Sequence, residues 1–229
     1  MGKSRKIVFI FVKKFRLMNK KWLWIVLPML ALASCKKYES PSSGGGTPLP
    51  THQDPVYHIG DYFRNDTLEG VVFFTYGDHN GLMVSLEETY LPWCVPSHIN
   101  SQTGATNPYD GWNNTNILMS NYDLRNYPVI QWSHQRNTWN LVYYNCYQVT
   151  SKQWYVPASS ELRYLLLNQK IVNATLDSLG YPTLEDKTYW SSTELGTRSA
   201  ASLRMQDSSL VVTESLKDKV FYVRAVRNY

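Results

Sequence analysis

The sequence is short of the residues that most catalytic chemistry needs. Its three cysteines, at 35, 94 and 146, form no Cys-x-x-Cys pair, and its five histidines, at 52, 58, 79, 98 and 134, never fall at His-x-x-x-His spacing. Zinc sites draw their ligands from such clusters, so no metal is expected. No Gly-x-Ser-x-Gly elbow presents a serine nucleophile, and no glycine-rich loop cradles phosphate. Neither catalytic residues nor a cofactor are expected. Long apolar runs are missing too: nothing reaches the roughly 20 residues that span a bilayer as a helix. Acid is absent from residues 1–34, which carry eight Lys or Arg. Without that segment the 23 basic residues fall to 15 against 18 acidic ones, so the formal +5 becomes −3. A nucleic-acid partner then lacks the basic footprint it requires.

What the first 35 residues do contain is ordered along the chain. Lys20-Lys21 precedes the apolar run Trp22–Leu32, and Ala33-Ser34-Cys35 follows. A basic start, a short apolar core and small exit residues form the pattern of a secretory signal. Leu32-Ala33-Ser34-Cys35 resembles the bacterial lipobox, which implies cleavage before Cys35 and acylation of its thiol and new N-terminus. One acyl chain binds a membrane marginally and several bind it durably. The expectation is a lipoprotein carrying palmitate-type acyl chains at Cys35, anchored at the outer membrane or cell surface. Residues 1–17 add a second basic and apolar stretch, whereas starting at Met18 leaves a signal of ordinary length, so Met18 is the expected initiator.

Residues 35–55 form the expected tether, with Pro41-Ser-Ser-Gly-Gly-Gly46 at its centre; such composition cannot bury a core. Residues 56–229 are read as one domain. Gly70–Thr75 and Gly81–Leu86 read as strands joined through Tyr76–Asn80, because Asn80-Gly81 tolerates the positive φ of a hairpin turn. Residues 91–112 are loop-like, and 113–121 fit a short helix. Trp139, Val142, Tyr143 and Cys146 recur at helical spacing, which predicts a helix near 137–148. Leu162, Leu165 and Leu166 mark another, with Glu161 near its positive end and Gly180 as a stop. Strands are expected again at 201–206, 210–215 and 220–226. Strands, then helices, then strands indicate an α+β fold.

Six separated motifs carry a resemblance. They are Gly60-Asp-Tyr62, Gly70-Val-Val-Phe73, Ala105-Thr106 with Asp110-Gly111 and Asn114-Thr115, Trp154-Tyr-Val-Pro157 with Glu161-Leu162, Tyr189-Trp-Ser-Ser-Thr193, and Val223-Arg-Ala-Val-Arg227. In this order they resemble the Lcl C-terminal-domain-like family. That family overlaps the Fibrobacter succinogenes major paralogous domain and the variable proteins of diversity-generating retroelements. The resemblance implies a C-type-lectin-like fold with short helices and small antiparallel sheets. It also implies binding of a ligand or surface, as in adhesion, rather than catalysis. Two departures stand out. Ala158 occupies a position where a capping residue is usual, which forfeits about 1 kcal/mol. Residues 194–222 hold no Asn and a single Tyr, unlike the Asn- and Tyr-crowded segment of retroelement targets.

The resemblance places recognition in the segment 194–218. On the strand at 201–206, Leu203 and Met205 alternate with Ser202, Arg204 and Gln206, so the polar set faces outward. Glu194, Arg198, Ser202, Arg204, Gln206 and Lys217, with Trp112, are the expected ligand-binding residues. Replacing Arg198, Arg204 and Lys217 together is expected to leave the melting temperature nearly unchanged. Trp154, Tyr189 and Trp190 are expected in the core, and Trp132, like Trp112, at the surface. The calcium-lectin signatures Glu-Pro-Asn and Gln-Pro-Asp are absent, as are the late cysteines of the related formylglycine-generating enzymes. The expected partners are a membrane, through the lipid, and a protein or glycan ligand. Alternatives are a structural subunit of an envelope or pilus-tip assembly and a degenerate enzyme relative. Cys94 and Cys146 are expected as free thiols, although a disulfide between them would add about 4 kcal/mol.

Overall fold

The computed structural model describes residues 55–66, 68–137 and 153–229. Cys35, the tether up to Asp54 and, beyond Asn137, the helix expected near 137–148 lie outside the described residues. Among those described, the strands are β1 (Tyr62–Arg64), β2 (Glu69–Thr75), β3 (Gly81–Pro92), β4 (Tyr189–Gly196), β5 (Ser199–Gln206), β6 (Ser209–Leu216) and β7 (Val220–Asn228). The helices are α1 (Gly111–Asn121), α2 (Pro128–Gln135), α3 (Ser159–Leu167) and α4 (Gln169–Ser178). The fold is α+β.

All seven strands join one sheet in the order β1-β2-β3-β7-β4-β5-β6. Small separate sheets are therefore not what forms. The chain leaves the sheet after β3, builds its helices, and returns so that β7 lies between β3 and β4. Neighbours are antiparallel except β4 and β7, which meet in parallel at Tyr189 and Tyr222. That single parallel contact fuses what would otherwise be two antiparallel ribbons.

Burial follows the period of two that a strand imposes. On β3, Leu82, Val84 and Leu86 enter a cluster with Leu162, Leu165, Leu166, Val172 and Leu176 of α3 and α4, while Met83 points the other way toward Trp154 and Ala225. Tyr189 joins the first cluster, whereas its neighbour Trp190 packs with Trp93, Leu118, Val129 and Ile130. Both faces of the central strands are thus covered, α3 and α4 on one side, α1 and α2 on the other.

Helix starts follow local chemistry. Asp110 caps α1 by accepting from the Asn113 N–H at 2.9 Å, and Pro128, whose missing N–H costs nothing at a first turn, opens α2. The N-cap of α3 is Ala158, which has no side-chain acceptor. Its orphan donors are taken by tertiary partners: Thr193 Oγ1 accepts from Ser159 N, Pro108 O from Ser160 N, and Glu161 from Ala158 N. The deficit expected from an alanine cap is made good by a strand and a loop. The helical stretch is broken at Asn168 into α3 and α4, and Gly180, at a φ of 75°, ends α4 as expected.

Glu161 ties this corner together. Its carboxylate accepts from Ala158 N (2.8 Å), Gly111 N (3.1 Å) and Tyr155 OH (2.8 Å). A Cβ on Gly111 would meet Ala158 N and Glu161 Oε2 at 2.5 Å, so only glycine lets α1 approach so closely. Burial pushes the Glu161 carboxyl up to about 6, against the pull of those three hydrogen bonds. A raised acid means the folded state binds its proton more readily than the unfolded chain. Stability from this group is therefore gained as pH falls through 6 and is lost as pH rises through it. Between pH 7 and pH 5, wild type is expected to gain about 1 kcal/mol relative to Glu161→Gln. Parallel pH profiles in urea unfolding of the two proteins would contradict this.

Candidate functional site

The residues expected to form a recognition face divide on folding. Lys217 and Glu194 are buried, and Lys217 Nζ donates to Glu194 Oε1 at 2.5 Å. The remaining ammonium protons go to the Ser101 and Thr197 carbonyls, each at 2.8 Å, and the charge lies 4.9 Å from the Trp93 ring. Glu194 accepts in turn from the Thr103 and Gly104 amides. An ammonium has three protons to give, and all three are used. The pair clamps the 101–105 loop to the sheet and offers nothing to a ligand.

Ser202 is also buried, its hydroxyl 2.8 Å from that of Ser215. The expected alternation holds farther along β5: Leu203 is buried, Arg204 and Gln206 are exposed, and Arg204 donates to Gln206 at 2.6 Å. Arg198 is exposed but occupies the turn before β5. Six residue steps separate it from Arg204, about 20 Å at the usual rise. Trp112 is half-buried on α1, edge-on to Tyr155 and packed against the core. These residues do not converge. The three expected core aromatics, Trp154, Tyr189 and Trp190, are buried.

A recess forms elsewhere, where β3 is irregular. Its pairing with β7 shifts between Val84 and Glu88. Such bulges re-aim side chains, here turning Glu87 to solvent and Glu88 inward. α2 stands beside this place, and a cavity of about 350 Å³ opens among Glu69, Glu87, Trp132, Gln135, Arg136 and Trp154. Arg136 is its central group. The guanidinium lies 4.3 Å from the Trp132 ring centroid and donates to Glu87 Oε2 at 2.5 Å. Its Nε is shut away from water without a hydrogen-bond partner among the described residues. Glu69 accepts from the Tyr62 hydroxyl at 2.7 Å. The wall is fixed by Asn137, whose amide exchanges two hydrogen bonds with the Trp154 backbone, at 2.8 and 3.0 Å.

This arrangement offers two carboxylate acceptors, a guanidinium with spare donor capacity and the exposed part of an indole. Hydroxyl-rich or amide ligands match that set. Among the described residues, no three His, Cys, Asp or Glu side chains gather where a metal ion could sit. Cys94 is buried in the cluster around Trp93, and burial pushes its thiol up to about 11. Cys146 lies outside the described residues.

No protein-family model matches the chain, and no curated protein does. Among solved structures, a fimbrial protein from Bacteroides ovatus aligns with a TM-score of 0.49 and 19% identity, over 65% of this chain and 36% of that one. The chain thus spans little more than a third of that protein's length. No described helix is long and apolar enough to cross a membrane.

The recess was only partly visible in sequence. Trp132, expected at the surface, is half-buried against two core clusters, and α2 was not expected from sequence. Glu69, Glu87 and Arg136 are separated by long stretches of chain, and only the bulge brings them together.

Proposed function

We propose that this chain is a lipid-anchored, non-catalytic recognition module. Acyl chains on Cys35 hold it to a bacterial membrane, residues 36–55 act as tether, and the domain that follows is C-type-lectin-like, of the Lcl C-terminal-domain-like kind. The family reading rests on the six motifs. Several of their residues have framework duties: Asn114 holds the 107 loop, Glu161 caps α3, and Arg224 supports β3. Binding is assigned to the recess at the β3 bulge. The observation that carries this is the state of the charged groups. Lys217, Glu194 and Glu161 are buried with their internal partners, whereas Arg136 and Glu87, paired with each other, and Glu69, bonded to Tyr62, line a recess that is open among the described residues.

A ligand of this site is a glycan or peptide edge rich in both donors and acceptors. Full-length protein in its membrane, screened against glycan and peptide arrays, is expected to bind at least one class. Arg136→Ala should weaken that binding at least tenfold, which corresponds to about 1.4 kcal/mol. Arg198→Ala with Arg204→Ala should leave it within twofold. The reverse ranking would return the site to the β5 strand, and unaltered binding in both would remove the recess from the account.

A further inference from the structure

The two ends of the sheet are treated differently. β1, at one end, is a three-residue strand, the short kind of edge that resists pairing with another chain. β6, at the other, has eight residues paired without a register break to β5, from Ser199 opposite Leu216 to Gln206 opposite Ser209. The tight turn at Asp207-Ser208, with φ of 47° and 64°, keeps that ribbon regular. No described strand lies beyond β6. Its sequence, Ser-Leu-Val-Val-Thr-Glu-Ser-Leu, holds no proline, no lysine and no bulge, the usual devices that blunt an edge. Its one charge, Glu214, accepts from Ser199 Oγ on the neighbouring strand. Val212 and Leu216 are 53% and 43% exposed.

We propose that β6 pairs edge to edge with β6 of a second copy, antiparallel, across a two-fold axis at Thr213. The sequence is self-complementary in that register. Thr213 meets Thr213, Leu210 meets Leu216, Val211 meets Ser215 and Val212 meets Glu214. Threonine and aliphatic cross-strand pairs are favourable, and like charges directly opposed are not. A parallel pairing in register sets Glu214 against Glu214, whereas the antiparallel one keeps the two carboxylates apart. A two-fold axis makes the contact isologous, so it closes at two copies and does not propagate. This surface is separate from the recess, and the pairing holds whether or not the recess binds a ligand.

The test is a cysteine placed on the axis. Directly opposed residues of an antiparallel pair have Cα atoms about 4.5–5.5 Å apart, inside the range a disulfide bridges. Full-length Thr213→Cys, in its membrane under mild oxidation, is expected to run mostly as a dimer on non-reducing gels. Wild type and Tyr109→Cys, at an exposed loop position, should stay monomeric. Val211→Cys alone should not cross-link, because its copy lies four residues along the partner strand, while Val211→Cys with Ser215→Cys should. Protection of Cys94 from alkylation without denaturant reports that each variant is folded. Monomeric Thr213→Cys with Cys94 protected, equal cross-linking at Thr213 and Val211, or a product of some other mass would each overturn the proposal. If Thr213→Cys exposes Cys94, the Val211 and Ser215 pair decides in its place.

Discussion

Lys217→Ala is expected to destabilise the domain by about 3–5 kcal/mol, the cost of leaving one member of a buried ion pair without its partner. From sequence, Lys217 is expected at the surface, where its loss would cost under about 0.5 kcal/mol. The structure reverses this. Alanine strands the Glu194 carboxylate in the interior and leaves the Ser101 and Thr197 carbonyls without a donor. It also removes the cation from the Trp93 face. In urea, at a slope of about 2 kcal/mol per M, the midpoint falls by roughly 2 M. Combining Lys217→Met with Glu194→Gln should cost less than the two single changes summed, because neither partner then carries an isolated charge. A midpoint shift for Lys217→Ala no larger than that of Arg204→Ala would show the pair to be dispensable.

Arg224 is expected to be as costly for a different reason. The bulge in β3 takes Ser85 and Leu86 out of the ladder, and buried carbonyls without partners are expensive. Arg224 Nη1 donates to both, at 2.7 and 2.5 Å, while Nε reaches Glu88 and Nη2 the carbonyl of Pro182. Glu88 is held further by Lys187 and Tyr189. One planar fork therefore supports the bulge and fastens the loop before β4. Arg224→Ala should cost about 3–5 kcal/mol. Arg224→Lys keeps the charge but cannot reach in four directions, so it should recover less than half of the loss. Hydrogen exchange at amides 85–88 should quicken in both. Full recovery by lysine would mean that charge alone matters at this position.

These two residues show what was legible in sequence. Arg224 lies in the Val-Arg-Ala-Val-Arg motif, so its framework role could be expected from the resemblance, though not its four partners. Lys217 could not be placed, because Leu-Lys-Asp-Lys reads as an exposed turn, and only the 101–105 loop folding over it makes it interior. The β2–β3 hairpin, the helix expected at 113–121 and the late strands are local events and were readable from pattern and period. The turn chemistry differs: neither Asn80 nor Gly81 takes the expected positive φ, which falls at Gly77, and Gly81 is required because a Cβ there would clash with the Phe74 carbonyl oxygen. β3 was expected to end at Leu86, since Glu87-Glu88 breaks the apolar pattern. The strand runs on to Pro92 because Arg224 and Lys187 neutralise Glu88. The continuous sheet depends on the one parallel contact between β4 and β7, a long-range pairing with no local signature. The same holds for the recess, which exists only where the bulge and α2 meet.

On the proposed function, Cys35 carries the lipid that holds a recognition domain at the membrane. The most direct measurement is the intact mass of the protein extracted from its own membrane, with sequencing of its N-terminal peptide. The expected product is a chain beginning at Cys35 and bearing acyl chains on that residue, with Cys35→Ala released from the membrane fraction or retained uncleaved. A wild-type chain that continues upstream of Cys35, with the thiol unmodified, would contradict it.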